Sequence, residues 1–172
     1  METTMEREQT ATGRRGAVVR AAGEGERIWF ANNLTIIKAR AADTDGEFGL
    51  IETVAPPGFS PPRHVHAHED ETFWVLEGEL TVVCGEETIT AGPGAMVFLP
   101  RGVPHGYRVD GELPARFTTL ITPGGMEEFF ARVGRPAEGP GLPPAGPVDV
   151  EAMARWSAEF GMKLVGPPLP RP

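Results

Sequence analysis

The sequence predicts an all-β fold, a sandwich or barrel of short antiparallel strands finished by short C-terminal helices. Three observations carry this expectation. From Ile28 to about Thr122 the chain breaks into short runs rich in Val, Ile, Leu, Phe and Thr, each closed within a few residues by Gly, Pro, Asp or Asn. Turn formers and helix breakers are abundant, 22 Gly and 18 Pro in 172 residues, and they follow no period, which suits tight turns between strands better than a helix bundle. No helical pattern separates one run from the next, so antiparallel pairing is expected rather than alternating strand and helix.

Taken in order, residues 1–24 mix polar, basic and small residues without an apolar period and are expected to form a tail. Residues 25–122 hold the runs LTIIKAR, FGLIETVA, TFWVLEG, ELTVVCG, ETITA, AMVFLP and ARFTTLIT, and are expected to form one β-barrel. After Pro123 the period changes. Met126, Phe129, Phe130 and Val133 recur at helical spacing and predict a short helix ending near Gly134. A Pro- and Gly-rich loop follows, and Asp149 then reads as the N-cap of a second helix with Met153, Trp156 and Phe160 on one side and Gly161 as its stop. Residues 123–172 are thus expected to be a helical extension packed on a mouth or flank of the barrel. No internal repeat is visible.

Composition narrows the function. A formal net charge of −8 repels phosphate backbones and anionic lipid surfaces, so nucleic acid and membrane are not expected as partners. No apolar run approaches the roughly 20 residues needed to cross a bilayer, and the N-terminus lacks the apolar stretch of a secretory signal, so a cytoplasmic location is expected. The lone cysteine, Cys84, lies in the apolar run LTVVC, where a buried thiol is the simple reading.

Three of the four histidines fall within PGFSPPRHVHAHEDETFWVLEG, and the fourth, His105, lies in PGAMVFLPRGVPHGYRV. In a strand, side chains two apart share a face at about 6 to 7 Å between Cα atoms, so His64 and His66 can converge on one ion. Imidazoles with a carboxylate suit Ni, Co, Mn, Fe, Cu or Zn, whereas Mg and Ca prefer oxygen ligands alone. Spacing leaves one ambiguity: His68 continues the alternation and could be a ligand, with Glu69, Asp70 and Glu71 forming a solvated acidic turn.

The first block resembles the first motif of the cupin superfamily: Gly58, five residues, His64, one residue, His66, four residues, Glu71, six residues, Gly78. The second resembles the second cupin motif: Gly94, five residues, Pro100, one residue, Gly102, two residues, His105. The resemblance implies a double-stranded β-helix, or jelly-roll barrel, binding one divalent transition metal through His64, His66, Glu71 and His105. It places His68 on the surface or rim. Val109 stands where the second motif often has Asn, which weakens the analogy to oxalate-acting and germin-like members without touching the ligands.

Parity places Phe73, Val75, Val97, Leu99 and Tyr107 on the inward face as an expected substrate pocket, which would favour an apolar or aromatic substrate with a chelating oxygen pair. The chain from Gly25 to Pro168 is similar to single-cupin proteins of the quercetin 2,3-dioxygenase-like group. That similarity implies a metal-dependent dioxygenase acting on a flavonol-like or other chelating aromatic or enol substrate with dioxygen, often as a homodimer. Glu71 would then be both ligand and catalytic base. Two alternatives stand beside it: another cupin metalloenzyme, such as an isomerase or a Lewis-acid hydrolytic enzyme, and a non-catalytic module that binds a small molecule.

Overall fold

The computed structural model describes residues 16–171; residues 1–15 of the expected tail lie outside the described residues. The rest of that segment is tied to the sheet, since the Lys38 ammonium donates to the Ala21 and Glu24 carbonyls at 2.8 and 2.7 Å.

Among the described residues twelve strands form two antiparallel sheets. The first carries β1 (Glu26–Phe30), β2 (Asn33–Ala39), β3 (Gly49–Ala55), β5 (Asp70–Glu77), β8 (Met96–Leu99), β10 (Ala115–Thr122) and β11 (Arg135–Pro136), in the order β11-β1-β2-β3-β10-β5-β8. The second carries β4 (Arg63–His66), β6 (Glu79–Cys84), β7 (Glu87–Ala91), β9 (His105–Asp110) and β12 (Met162–Gly166), in the order β12-β4-β9-β6-β7. The jumps between sheets make the expected double-stranded β-helix. Each run alternates because one face meets the other sheet. On β5, Glu71, Phe73 and Val75 are buried while Trp74 and Leu76 face out, and on β10 Ala115, Phe117, Thr119 and Ile121 are buried.

The core between the sheets gathers Val75, Val97 and Leu99 from the first against Leu80, Val82 and Val109 from the second. Cys84 packs on its edge, half-buried, and burial raises its thiol pKa. Gly78 joins β5 to β6 at φ +77°, and a Cβ there would lie 2.7 Å from the Ala115 Cα, so the turn requires glycine on both counts.

The C-terminal helices are as the periodicity predicts. Helix α1 (Glu127–Val133) ends before Gly134, and α2 (Val150–Glu159) begins at Asp149, whose carboxylate accepts from the Ala152 N–H at 2.8 Å. Phe129 and Met153 pack with Met126 and Met162 in a second apolar cluster. The segment after residue 122 is more than a helical extension, however. It also adds a strand to each sheet, β11 against β1 and β12 against β4. Among the described residues no helix is long and apolar enough to cross a membrane.

Candidate metal centre

His64, His66, Glu71 and His105 converge from three strands. His64 and His66 lie two apart on β4, His64 is directly opposite His105 on β9, and Glu71 reaches across from β5 of the facing sheet. One ligand atom from each lies within 4.8 Å of the others. Two atoms each about 2.1 Å from one ion are at most about 4.2 Å apart, so closing the group on a transition metal takes only a few tenths of an ångström per ligand. His66, Glu71 and His105 are buried, while His64 is partly exposed.

The tautomers follow from the backbone. The Nδ1 atoms of His64 and His105 lie 2.8 and 3.0 Å from the carbonyls of Pro62 and Val103. A carbonyl only accepts, so both Nδ1 atoms carry protons and both Nε2 lone pairs are free for the cluster. The His105 Nε2 stands 3.1 Å from the Glu71 Oε2 and the His66 Nε2 3.6 Å from the same oxygen. Lone pairs at that separation repel unless a cation or a proton lies between them. Neither ring nitrogen of His66 has a hydrogen-bond partner, although both are buried. The orphaned Nε2, beside the buried Glu71 carboxylate, is what a divalent metal would satisfy, while the Nδ1 on the other side of the ring faces Glu69.

The electrostatics agree. Burial pushes His64 down to about 4, so its imidazole is neutral at ordinary pH. Burial would also lower His66, but the carboxylates of Glu71 and Glu69 outweigh it and raise the group. Burial acts to raise Glu71, yet the charge of His66 and the His105 contact overcome it and hold Glu71 at about 2. The site therefore favours positive charge in its middle.

The acidic triplet that could have been one solvated turn divides into three roles. Glu69 is 9% exposed, with its Oε2 unpaired and 3.6 Å from the His66 Nδ1. Asp70 accepts from the backbone N–H and guanidinium of Arg101 at 2.8, 3.1 and 2.7 Å, bracing the first histidine motif against the second. Glu71 enters the cluster. His68 stays outside it, exposed against Gly161. The loop that delivers His105 is held by the Gly102 N–H, which donates to the His66 carbonyl at 2.8 Å.

A cavity of about 260 Å³ opens onto His64, His66 and Glu71. Phe59, Phe73, Tyr107 and Phe117 form its inner wall, with Met126, Phe129, Phe130 and Met153 from the C-terminal cluster above. Rings meet edge to face, Phe73 against Tyr107 at 5.6 Å and Tyr107 against Phe117 at 5.2 Å. Of the five residues expected to line a pocket, Phe73 and Tyr107 do. Val75, Val97 and Leu99 share their face but pack in the core, away from the lining, because the facing sheet closes over them. Burial, and then the charge on Glu71, raise Tyr107 well above the usual phenol range, so it stays a hydroxyl donor.

A family profile described as "Cupin domain" matches residues 50–121. Over 126 residues the chain is 34% identical to quercetin 2,3-dioxygenase of Bacillus subtilis (strain 168), covering 72% of this chain and 37% of that protein. Over 80 residues it is 32% identical to the tetracenomycin polyketide synthase protein TcmJ of Streptomyces glaucescens, covering 46% and 52%. The chain thus spans about a third to a half of these relatives. Its fold matches that of a predicted oxalate decarboxylase from Thermotoga maritima at TM-score 0.55 and 21% identity, over 62% of this chain and 99% of that one. It also matches a double-stranded β-helix protein from Klebsiella pneumoniae at TM-score 0.53 and 21% identity, over 64% and 93%. With both motifs, the two-sheet topology and the histidine–glutamate cluster in place, the chain belongs to the cupin superfamily and is related to quercetin 2,3-dioxygenase-like proteins.

Proposed function

We propose that this cupin is a metal-dependent enzyme in which His64, His66, Glu71 and His105 hold one divalent transition metal, and that its reaction is dioxygen-dependent cleavage of a flavonol-like substrate. The observation that carries the reading is the opening of an aromatic-walled cavity directly onto three of those four side chains. The 34% identity to a quercetin 2,3-dioxygenase supports the substrate class.

A divalent ion held by these four side chains would act as a Lewis acid toward a chelating oxygen pair and would give electrons of the substrate a path to dioxygen. The chain supplies the rest. Phe73 and Phe117 hold the ring system in a dry slot, which excludes water from a reactive carbanion-like substrate. Glu71 is the one carboxylate of the cluster and faces the cavity, so it receives the proton of the substrate hydroxyl at its own oxygen. A carboxylate is a weak base, so it is matched to a hydroxyl that is itself acidic. Tyr107, kept protonated, offers an O–H to the charge left on the substrate.

A second reading, proton transfer or cyclisation on an enolic substrate without oxygen uptake, is favoured by the 32% identity to a polyketide synthase protein. The two part on one experiment: anaerobic purification with metal analysis, then oxygen consumption on adding quercetin, in the wild type and in Glu71→Gln. Metal-dependent uptake that collapses in the variant supports the dioxygenase; a metal-loaded protein that consumes quercetin without oxygen supports the second reading. A protein that takes up no metal refutes both.

The proposal includes pairing of two copies. Trp74, Met96 and Phe98 are 53%, 57% and 54% exposed on the outer face of β5 and the edge strand β8, an apolar face next to an unpaired strand edge.

A further inference from the structure

The cavity has a second polar pole, far from the histidines. Asn33 opens β2 and lines the cavity at 3% exposure, and its Oδ1 is buried with no hydrogen-bond partner. Its neighbour shows that the local backbone is not short of partners. The Asn32 amide donates to the Gly146 carbonyl and accepts from the Gly146 N–H, both at 3.1 Å. Asn32 is spent on the fold; the Asn33 oxygen is not. A buried side-chain carbonyl without a partner is rare in folded proteins, and one that faces a cavity is best satisfied by a ligand.

The wall around Asn33 is also polar. Thr35 and Thr53 sit opposite one another on β2 and β3, and Thr119 lies further across on β10. These positions share the inward face with Ile37 and Ile51, where an apolar side chain would pack equally well. From β2 to β5, which carries Glu71, the sheet takes three strand spacings, roughly 14 Å at about 4.8 Å each, and the register also sets Asn33 about six residues along the strands from the Glu71–Ile121 row. Asn33 and Glu71 thus stand at opposite ends of a long diagonal, and with both side chains reaching inward a ligand that meets both is elongated, with two or three rings.

We propose that Asn33 is the distal anchor of the substrate site: its amide accepts a hydrogen bond from a hydroxyl or N–H at the end of an aromatic ligand opposite the chelating oxygens. Thr35 and Thr53 offer hydroxyls to the same end. This rests on the cavity being the substrate site, and it narrows the substrate class to planar aromatics with a chelating oxygen pair at one end and a donor at the other.

The test compares wild type with Asn33→Leu, a change of similar volume, by anaerobic equilibrium binding on the full metal-loaded chain. Two probes are used: a flavonol with phenolic hydroxyls on the ring remote from its chelating pair, and the unsubstituted flavonol. The wild type should prefer the hydroxylated probe by about tenfold. Asn33→Leu should lose that preference while binding the unsubstituted flavonol as before. A preference that survives the substitution overturns the proposal.

A second readout needs no ligand. If the Asn33 amide is unspent in the empty protein, Asn33→Leu should raise the melting temperature by about 2–4 °C. A fall would mean that a structural water or the fold itself uses the amide, and would overturn the anchor. A wild type that binds neither flavonol refutes the flavonol reading alone, and the melting shift still decides the role of Asn33.

Discussion

Glu69 is the residue through which the histidine cluster is most sharply testable, because it touches the site without entering it. Its Oε2 lies 3.6 Å from the Nδ1 of His66, in a buried position where that oxygen has no other partner. A carboxylate behind a ligating imidazole fixes the ring and raises its basicity. At that distance two full charges would interact by about 4.6 kcal/mol at an effective dielectric of about 20. A metal-bound imidazole carries only part of a unit charge, so the loss falls below this, toward the roughly 1.4 kcal/mol that corresponds to a tenfold change. Glu69→Gln keeps the shape and removes the charge, so metal affinity should fall about tenfold, the lower edge of the loss typical of such partners. The assay is titration of metal-free protein with Co(II) or Zn(II) against a chromophoric chelator at fixed pH, with circular dichroism to verify folding. Glu71→Gln serves as the reference for a larger loss. Affinity within twofold of wild type in Glu69→Gln would refute the argument that Glu69 supports His66.

Three further outcomes are expected. Arg101→Ala should lower the melting temperature at neutral pH, because it removes the two guanidinium hydrogen bonds to Asp70 that join the two histidine motifs and leaves only the backbone one. Arg101 holds the Asp70 carboxyl at about 2, below its ordinary 3.8, so this stabilisation is present above about pH 4 and is lost as pH falls toward 2. The difference between wild type and variant in acid unfolding should shrink across that window, and a constant difference would count against the ion pair. If two copies pair through β8 as proposed, the wild type should scatter light as a dimer and Phe98→Glu as a monomer with unchanged metal content; a monomeric wild type, or a variant of unchanged mass, would show that the β8 face is not an interface. Leu99→Ala empties a fully buried core position opposite Glu71 and should cost about 2–5 kcal/mol, or roughly 5–15 °C in melting temperature. A loss under 1 kcal/mol by denaturant titration would contradict the packing described.

The parts legible in the sequence are those set by local period and by joint spacing. Alternation placed Phe73, Val75, Val97, Leu99 and Tyr107 on the inner face, and the resemblance of the two histidine motifs to those of cupins named the residues that the fold brings together. What parity cannot convey is depth. The inner face of a sandwich is core where the second sheet lies over it and cavity where it does not. Val75, Val97 and Leu99 are therefore packed, whereas Asn33, Thr35 and Thr53 line space. Strands β11 and β12 left no local mark for a related reason. Arg135–Pro136 is two exposed residues in a Pro-rich loop, and only the free edge of β1 makes it a strand. The acidic triplet shows the same limit: Glu69, Asp70 and Glu71 look alike in sequence, and their neighbours His66, Arg101 and His105 divide their work.

Strand β12 ties the two halves of the site together. Met162 pairs with His66 and Leu164 with His64, so the backbone of β12 holds the strand that carries two of the clustered histidines. The side chains of the same two residues line the cavity. Met162 and Leu164 therefore join the strand that positions the histidines to the cavity wall. Helix α2 leads directly into β12 through Gly161, whose φ of +70° turns the chain, and its Met153 lines the same cavity. Metal site and apolar chamber share one structural support, drawn from a segment outside both histidine motifs. This accounts for Met153, Met162 and Leu164 being apolar in a C-terminal region that is otherwise largely exposed. Their side chains form the chamber, and through β12 their backbone contributes to the geometry of the centre.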